Sequence, residues 1–183
     1  VKKPLEDTVL VYIGDGRNNM ANSLLLASSI IGMEFRIITP KPLSPDQKLI
    51  KEAKERAEES GGRIKVTDDI LTGVKDADAV YTDVWMSMGE ESQMAERIKL
   101  LRNYQVNMDL IKNTQNPDVI FLHCLPSFHD TNTTIGKEVF EKYGLESMEV
   151  TDKVFRSKHS VVFDEAENRL HTIKAVMVAT LGN

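Results

Sequence analysis

Short apolar runs, each followed by a stretch of helical periodicity, recur along this chain and constrain its fold more than any other feature. Thr8 to Ile13 (TVLVYI) has the length and β-branched content of a buried strand, and Glu34 to Thr39, Arg63 to Val66, Ala79 to Asp83 and Val119 to His123 read as further strands. Asn18 to Ile31 reads as a helix stopped by Gly32. Ser44 is expected to cap the next helix, with Pro45 at its first position and Gln47 completing a capping box. That helix sets Leu49, Ile50, Ala53 and Ala57 on one face and ends at Gly61-Gly62. Asp68 is expected to cap a short helix carrying Ile70, Leu71 and Val74. Further helices are expected from about Glu91 to Leu101, near Met108 to Lys112, and from Ala166 to Leu181, with a short edge strand at Ser147 to Val150. Repeated strand-helix units imply an α/β fold: one domain over residues 1–183, a mostly parallel sheet and helices on both faces.

Composition narrows the partners. The 183 residues are 41% hydrophobic and 28% charged, ordinary values for a globular domain or one large lobe of a two-domain enzyme. A net charge of −5 argues against nucleic acid. The single cysteine, Cys124, excludes an intramolecular disulfide and fits a reducing cytoplasm. No apolar run approaches the roughly 20 residues that span a bilayer, and no signal peptide is visible. Val1 in place of Met suggests an excised segment of a longer chain.

In parallel sheets ligands bind beyond the carboxyl ends of the strands, so the residues there carry the functional reading. After the first run comes Gly14-Asp15-Gly16-Arg17-Asn18-Asn19, a tight turn into a helix start whose free N–H groups suit an anion. A plain turn with an asparagine cap explains it equally well. The string matches a dinucleotide fingerprint only at its first two glycines, and Ile38-Thr39-Pro40 puts no acid at the end of the second run. A nicotinamide site is therefore disfavoured. After the fourth run, Asp83-Val84-Trp85-Met86-Ser87-Met88-Gly89 offers a carboxylate and a hydroxyl to an ammonium group, or simply a capped turn and a Met-rich loop. After the fifth comes His123-Cys124-Leu125-Pro126. Cys124 reads as a nucleophile, a ligand or a packing residue. No metal is expected, because there is no second cysteine and the histidines lack ligand spacing. His123 is adjacent in the strand and faces the other way, a poor base for a thiolate. His129-Asp130 read as groups that fix the following loop. Arg169 can clamp a phosphate, or pair with Glu165 at four-residue spacing.

Taken together, GDGRNN, DVWMSMG, HCLP and AENRLHTIKAVM, in this order, resemble the second domain of the ornithine carbamoyltransferases over essentially the whole chain. The SMG loop resembles the ornithine-specific segment, and HCLPSFHD is similar to bacterial members. The resemblance implies a Rossmann-like fold, no cofactor, a cytoplasmic enzyme that is at full length a homotrimer or a multiple of one, and transfer of the carbamoyl group of carbamoyl phosphate to the δ-amine of L-ornithine. It implies Asn19 at the α-carboxylate, Asp83 and Ser87 at the α-ammonium, and the Met88 backbone beside them. Cys124 is implied at the δ-amine, Leu125 at the carbamoyl group and Arg169 at carbamoyl phosphate, with Cys124 and Arg169 as the catalytic pair. The family's Ser-Thr-Arg-Thr and His-Pro-Thr-Gln segments do not occur here. The chain is thus expected to be the ornithine-binding domain alone, inactive without the carbamoyl-phosphate-binding one. Alternatives are a non-catalytic amino-acid-binding module on the same fold, or half of a nicotinamide-dependent dehydrogenase.

Overall fold

The computed structural model describes residues 3–86 and 93–182. Five parallel strands form one sheet: β1 (Val9–Ile13), β2 (Glu34–Ile38), β3 (Arg63–Thr67), β4 (Ala79–Thr82) and β5 (Ile120–His123). The order is β3-β2-β1-β4-β5, so the chain reverses its direction of travel across the sheet beside β1. That reversal opens a crevice at the carboxyl ends of β1 and β4.

The helices are α1 (Asn19–Ile31), α2 (Gln47–Ser60), α3 (Ile70–Val74), α4 (Met94–Leu101), α5 (Met108–Asn113), α6 (Thr134–Tyr143), α7 (Asp152–Phe155) and α8 (Val162–Leu181). Strand alternation divides the core between two faces. Leu10 and Tyr12 join Phe35, Ile37 and Tyr81 beneath Ala21 and Leu25 of α1 and Ala53 and Ala57 of α2. Val11 and Ile13 join Ile38, Val80 and Phe121 against residues of α3, α5 and α7. A third cluster joins Trp85 to Ile98 and Leu101 of α4, Val139 of α6 and Met148, and so fixes the chain just after β4.

Several boundaries differ from those read in the sequence. Residues Lys41–Leu43 form a 3-10 turn that ends at Ser44, and α2 is capped by Asp46, whose carboxylate accepts from the N–H groups of Lys48 and Leu49. Asp69, not Asp68, caps α3. Ser147 to Val150 forms no strand, only one bridge from Val150 to Val106, because Asn107 immediately caps α5 and ends the pairing. Helix α6, capped by Thr133, lies where no helix is expected. Helix α8 starts at Val162, four residues early, which sets Asp164 and Glu165 in its first turn where the helix dipole favours them. Only Val162 of that helix is buried; Leu170, Ile173 and Met177 are each at least 50% exposed. The expected apolar stripe is present but uncovered. No helix among the described residues is long and apolar enough to cross a membrane.

Two left-handed glycines separate strain from crowding. Gly32 ends α1 at φ +87°, and a Cβ there would lie 2.7 Å from the Ser60 carbonyl oxygen. Gly61 ends α2 at φ +84° with open space around it. Gly61→Ala should cost only the left-handed strain of about 1–2 kcal/mol. Gly32→Ala should cost clearly more, because α1 and α2 must also separate. Urea unfolding of the two variants measures the difference; equal losses would show that the contact between the helices yields freely.

Candidate functional site

The turn after β1 is built around Asp15. Asp15 is 7% exposed, and its carboxylate accepts from the Arg17 N–H at 2.9 Å and forms an ion pair with the guanidinium of Arg97 on α4. A buried pair of this kind is costly to break, because either partner alone becomes an uncompensated charge. Gly16 lies so close to Leu43 and Pro45 that a Cβ would fall within 3 Å of both. Asn18 caps α1 by accepting from Met20 N–H, and Asn19, the residue expected at an amino-acid carboxylate, is exposed beside it. A cavity of about 420 Å³ is lined by Asp15, Asn19, Val84, Trp85, Gln93 and Arg97, among others. The β1 turn, the segment after β4 and α4 thus enclose one polar space at the crossover of the sheet.

Asp83 and Cys124 meet at the adjoining ends of β4 and β5. The Cys124 thiol donates to Asp83 Oδ1 at 3.1 Å, and the same oxygen accepts from Val84 N–H at 2.7 Å. Burial, followed by the Asp83 hydrogen bond and charge, pushes the Cys124 thiol up to about 12. The sulfur is therefore a protonated donor at neutral pH and not a thiolate nucleophile. Beneath it the rings of Tyr12 and Tyr81 stack at 6.3 Å, and burial first and acidic neighbours second raise both phenols.

A carboxylate absent from the sequence expectations organises the HCLP segment. Glu149 is fully buried, and its Oε1 accepts from Ser127 Oγ at 2.9 Å and from Phe128 N–H at 2.7 Å. His123 Nδ1 accepts from Leu125 N–H at 2.9 Å, so its Nε2 carries the proton that faces Glu149 Oε1 at 3.2 Å. This bracing holds Leu125 in a left-handed conformation, φ +52°, with a cis bond to Pro126. Asp83, His123 and Cys124 present ligand atoms within 4.8 Å of one another, so the His123 ring and the Cys124 sulfur are nearer than opposite-facing strand neighbours are expected to be. Both nitrogens of His123 are already engaged, so a metal there would have to break this bracing.

Arg169 stands apart on exposed α8, and its expected pairing with Glu165 is not found among the described residues. Glu165 turns the other way and accepts from His123 N–H at 3.0 Å, tying the start of α8 to the end of β5. Ser87 and Met88 lie outside the described residues. Local motifs point to Asn19, Asp83 and Cys124, but none points to Glu149 or Arg97, whose partners are far away in the chain.

The Asp83–Cys124 contact sets the pH response of the thiol. Asp83→Asn should move the midpoint of Cys124 alkylation by iodoacetamide to lower pH, since the carboxylate's charge is among the causes that raise it. Each unit of downward shift multiplies the thiolate present at neutral pH about tenfold. An unmoved midpoint would mean that burial alone sets the thiol.

Comparison with known proteins gives the family. Residues 6–180 match the family described as aspartate/ornithine carbamoyltransferase, Asp/Orn binding domain. The chain is 66% identical over 174 residues to the catabolic ornithine carbamoyltransferase of Bacillus licheniformis, covering 95% of this chain and 52% of that protein. It is 61% identical over 179 residues to the catabolic enzyme of Streptococcus gordonii, covering 98% and 53%. Among solved structures, the ornithine carbamoyltransferase of Pyrococcus furiosus superposes with a TM-score of 0.83 at 44% identity, over 98% of this chain and 51% of that one. The chain spans about half the length of the curated relatives it matches, and with a family match across nearly all its residues it belongs to the aspartate/ornithine carbamoyltransferase family, in the Asp/Orn-binding domain.

Proposed function

We propose that this chain is the L-ornithine-binding domain of an ornithine carbamoyltransferase and turns over only when joined to a carbamoyl-phosphate-binding half. The observation that carries the reading is the hydrogen bond from Cys124 to Asp83, which unites two strand-end motifs beside the polar cavity bordered by Asn19. In this reading Asn19 takes the α-carboxylate. Asp83 and Ser87 hold the α-ammonium, aided by the Met88 backbone. Cys124 and the HCLP backbone face the δ-amine, Leu125 meets the carbamoyl group, and Arg169 reaches carbamoyl phosphate. The assembled enzyme is then a cytoplasmic homotrimer, or a multiple of one, without a cofactor.

The chemistry asks little of covalent catalysis. The δ-amine attacks only when neutral, and a free alkyl ammonium has a pKa near 10, so a partly desolvated site must favour the neutral form. The protonated state of Cys124 fits direct attack by the amine on the carbamoyl carbon, with phosphate leaving and no enzyme-bound intermediate. Rate then comes from holding the two substrates together and from positive charge at the departing phosphate. The uncovered apolar residues of α8 and the exposed Arg169 support a second half that closes over this face.

Two measurements test the reading. The chain alone should make no appreciable citrulline from ornithine and carbamoyl phosphate, since lost positioning of one reactant forfeits much of a term worth about 7–11 kcal/mol. Mixed with the separately made first half of the Bacillus licheniformis relative, it should become active; equal turnover by the chain alone refutes the division of labour. In the completed enzyme, Asp83→Ala should lower kcat/KM for ornithine by about 3–5 kcal/mol, the cost of a buried ammonium without its partner. Unchanged ornithine kinetics would remove Asp83 from the substrate site.

A further inference from the structure

We propose that His129, Asp130 and Asp152 form a binding site for one divalent transition-metal ion, separate from the crevice at the strand ends. One imidazole nitrogen and one oxygen from each carboxylate lie within 4.8 Å of one another. His129 Nδ1 is 2.7 Å from Asp152 Oδ1 and 3.7 Å from Asp130 Oδ2, so small movements bring all three around one ion. A mixed nitrogen and oxygen set favours zinc, cobalt or manganese over magnesium or calcium.

Each ligand is held by a neighbour. The His129 ring lies flat on Phe155, with centroids 3.7 Å apart and planes 8° apart. Asp130 accepts from the backbone N–H and the side-chain amide of Asn132, and those bonds, the backbone one foremost, hold its carboxyl below the usual range. Asp152 opens α7 and is gripped by Arg156 one turn later, Nε to Oδ1 at 2.8 Å. Supporting contacts of this kind orient ligands and tune affinity. The three groups border a cavity of about 440 Å³ that admits water to complete the coordination.

Arg156 sets the sign of one test. Its guanidinium also lies 3.6 Å from Asp130, so it neutralises the same carboxylates that the ion needs. Its side chain is 63% exposed and has room to withdraw. The ion would fasten the loop after HCLP to α7, a fastening independent of any carbamoyl transfer.

Cobalt(II) titration of the chain, with zinc competition, is the experiment. The expected result is visible ligand-field absorption without a thiolate charge-transfer band, because the Asp83, His123 and Cys124 group would add that band. His129→Gln and Asp152→Asn should each weaken binding at least about tenfold. Arg156→Gln should tighten it. Circular dichroism of the metal-free variants checks that each folds, and should His129→Gln fail to fold, the Asp152 and Arg156 variants carry the decision. No cobalt uptake up to millimolar concentration overturns the proposal. So does uptake marked by a thiolate band, or affinity indifferent to the substitutions.

Discussion

The strand-end crevice depends on one carboxylate that has no access to water. Glu149 gathers the side chains of His123 and Ser127 and the backbone of Phe128 on a single oxygen, and so ties a sharply bent segment to the body of the domain. The bend includes a left-handed leucine, a conformation that costs a non-glycine residue about 1–2 kcal/mol. Such strain persists only where surrounding contacts over-determine it. Here they do, from above through Glu149 and from behind through Glu165, which accepts the His123 amide hydrogen. Cys124 sits between these two anchors, and the direction in which its sulfur points follows from them.

Opposite this segment, Asp15 plays the matching part. Its pairing with Arg97 fixes α4 against the turn after β1, and Trp85 packs into the core between them. The wall made by the β1 turn and α4 is therefore held by a buried ion pair with Trp85 packed behind it, and most of the side chains that line the cavity are polar or charged. The division suits binding of a charged small molecule, since rigid walls lose little entropy when the ligand arrives.

Much of this was legible in the sequence wherever the cause is local. Alternating apolar runs and helical periodicities located all five strands; burial on both faces imposes the apolar run on the central strands β1 and β4, while the edge strand β3 buries only Ile64. The GDGRNN turn announces itself through its glycines and its cap. What escaped has a distant cause. Arg97 stands 82 residues from Asp15, and Asp83 stands 41 from Cys124; no local pattern reports such pairings. Helix α6 is the exception, since Ile135, Val139 and Tyr143 recur at four-residue spacing in TIGKEVFEKY and a local reading suffices to find it. Helix α8 shows the reverse case. Its periodicity matches the helix, but periodicity tells only that a face is apolar, and cannot tell whether the covering partner lies in the same stretch of chain.

The strand order has a consequence for how the site comes into being. β1 is the central strand, and its second neighbour, β4, follows far along the chain: Ile13 and Thr82, joined by a hydrogen bond at 2.7 Å, are 69 residues apart. Closing so long a loop costs entropy before any contact rewards it, and parallel pairings of this kind form slowly. The β1-α1-β2 unit can assemble from neighbouring sequence, but the crevice does not exist until β4 docks and brings Asp83 beside the turn that holds Asp15. On the ribosome, where residues emerge in order, the first wall of the binding site must therefore wait, exposed, for the second.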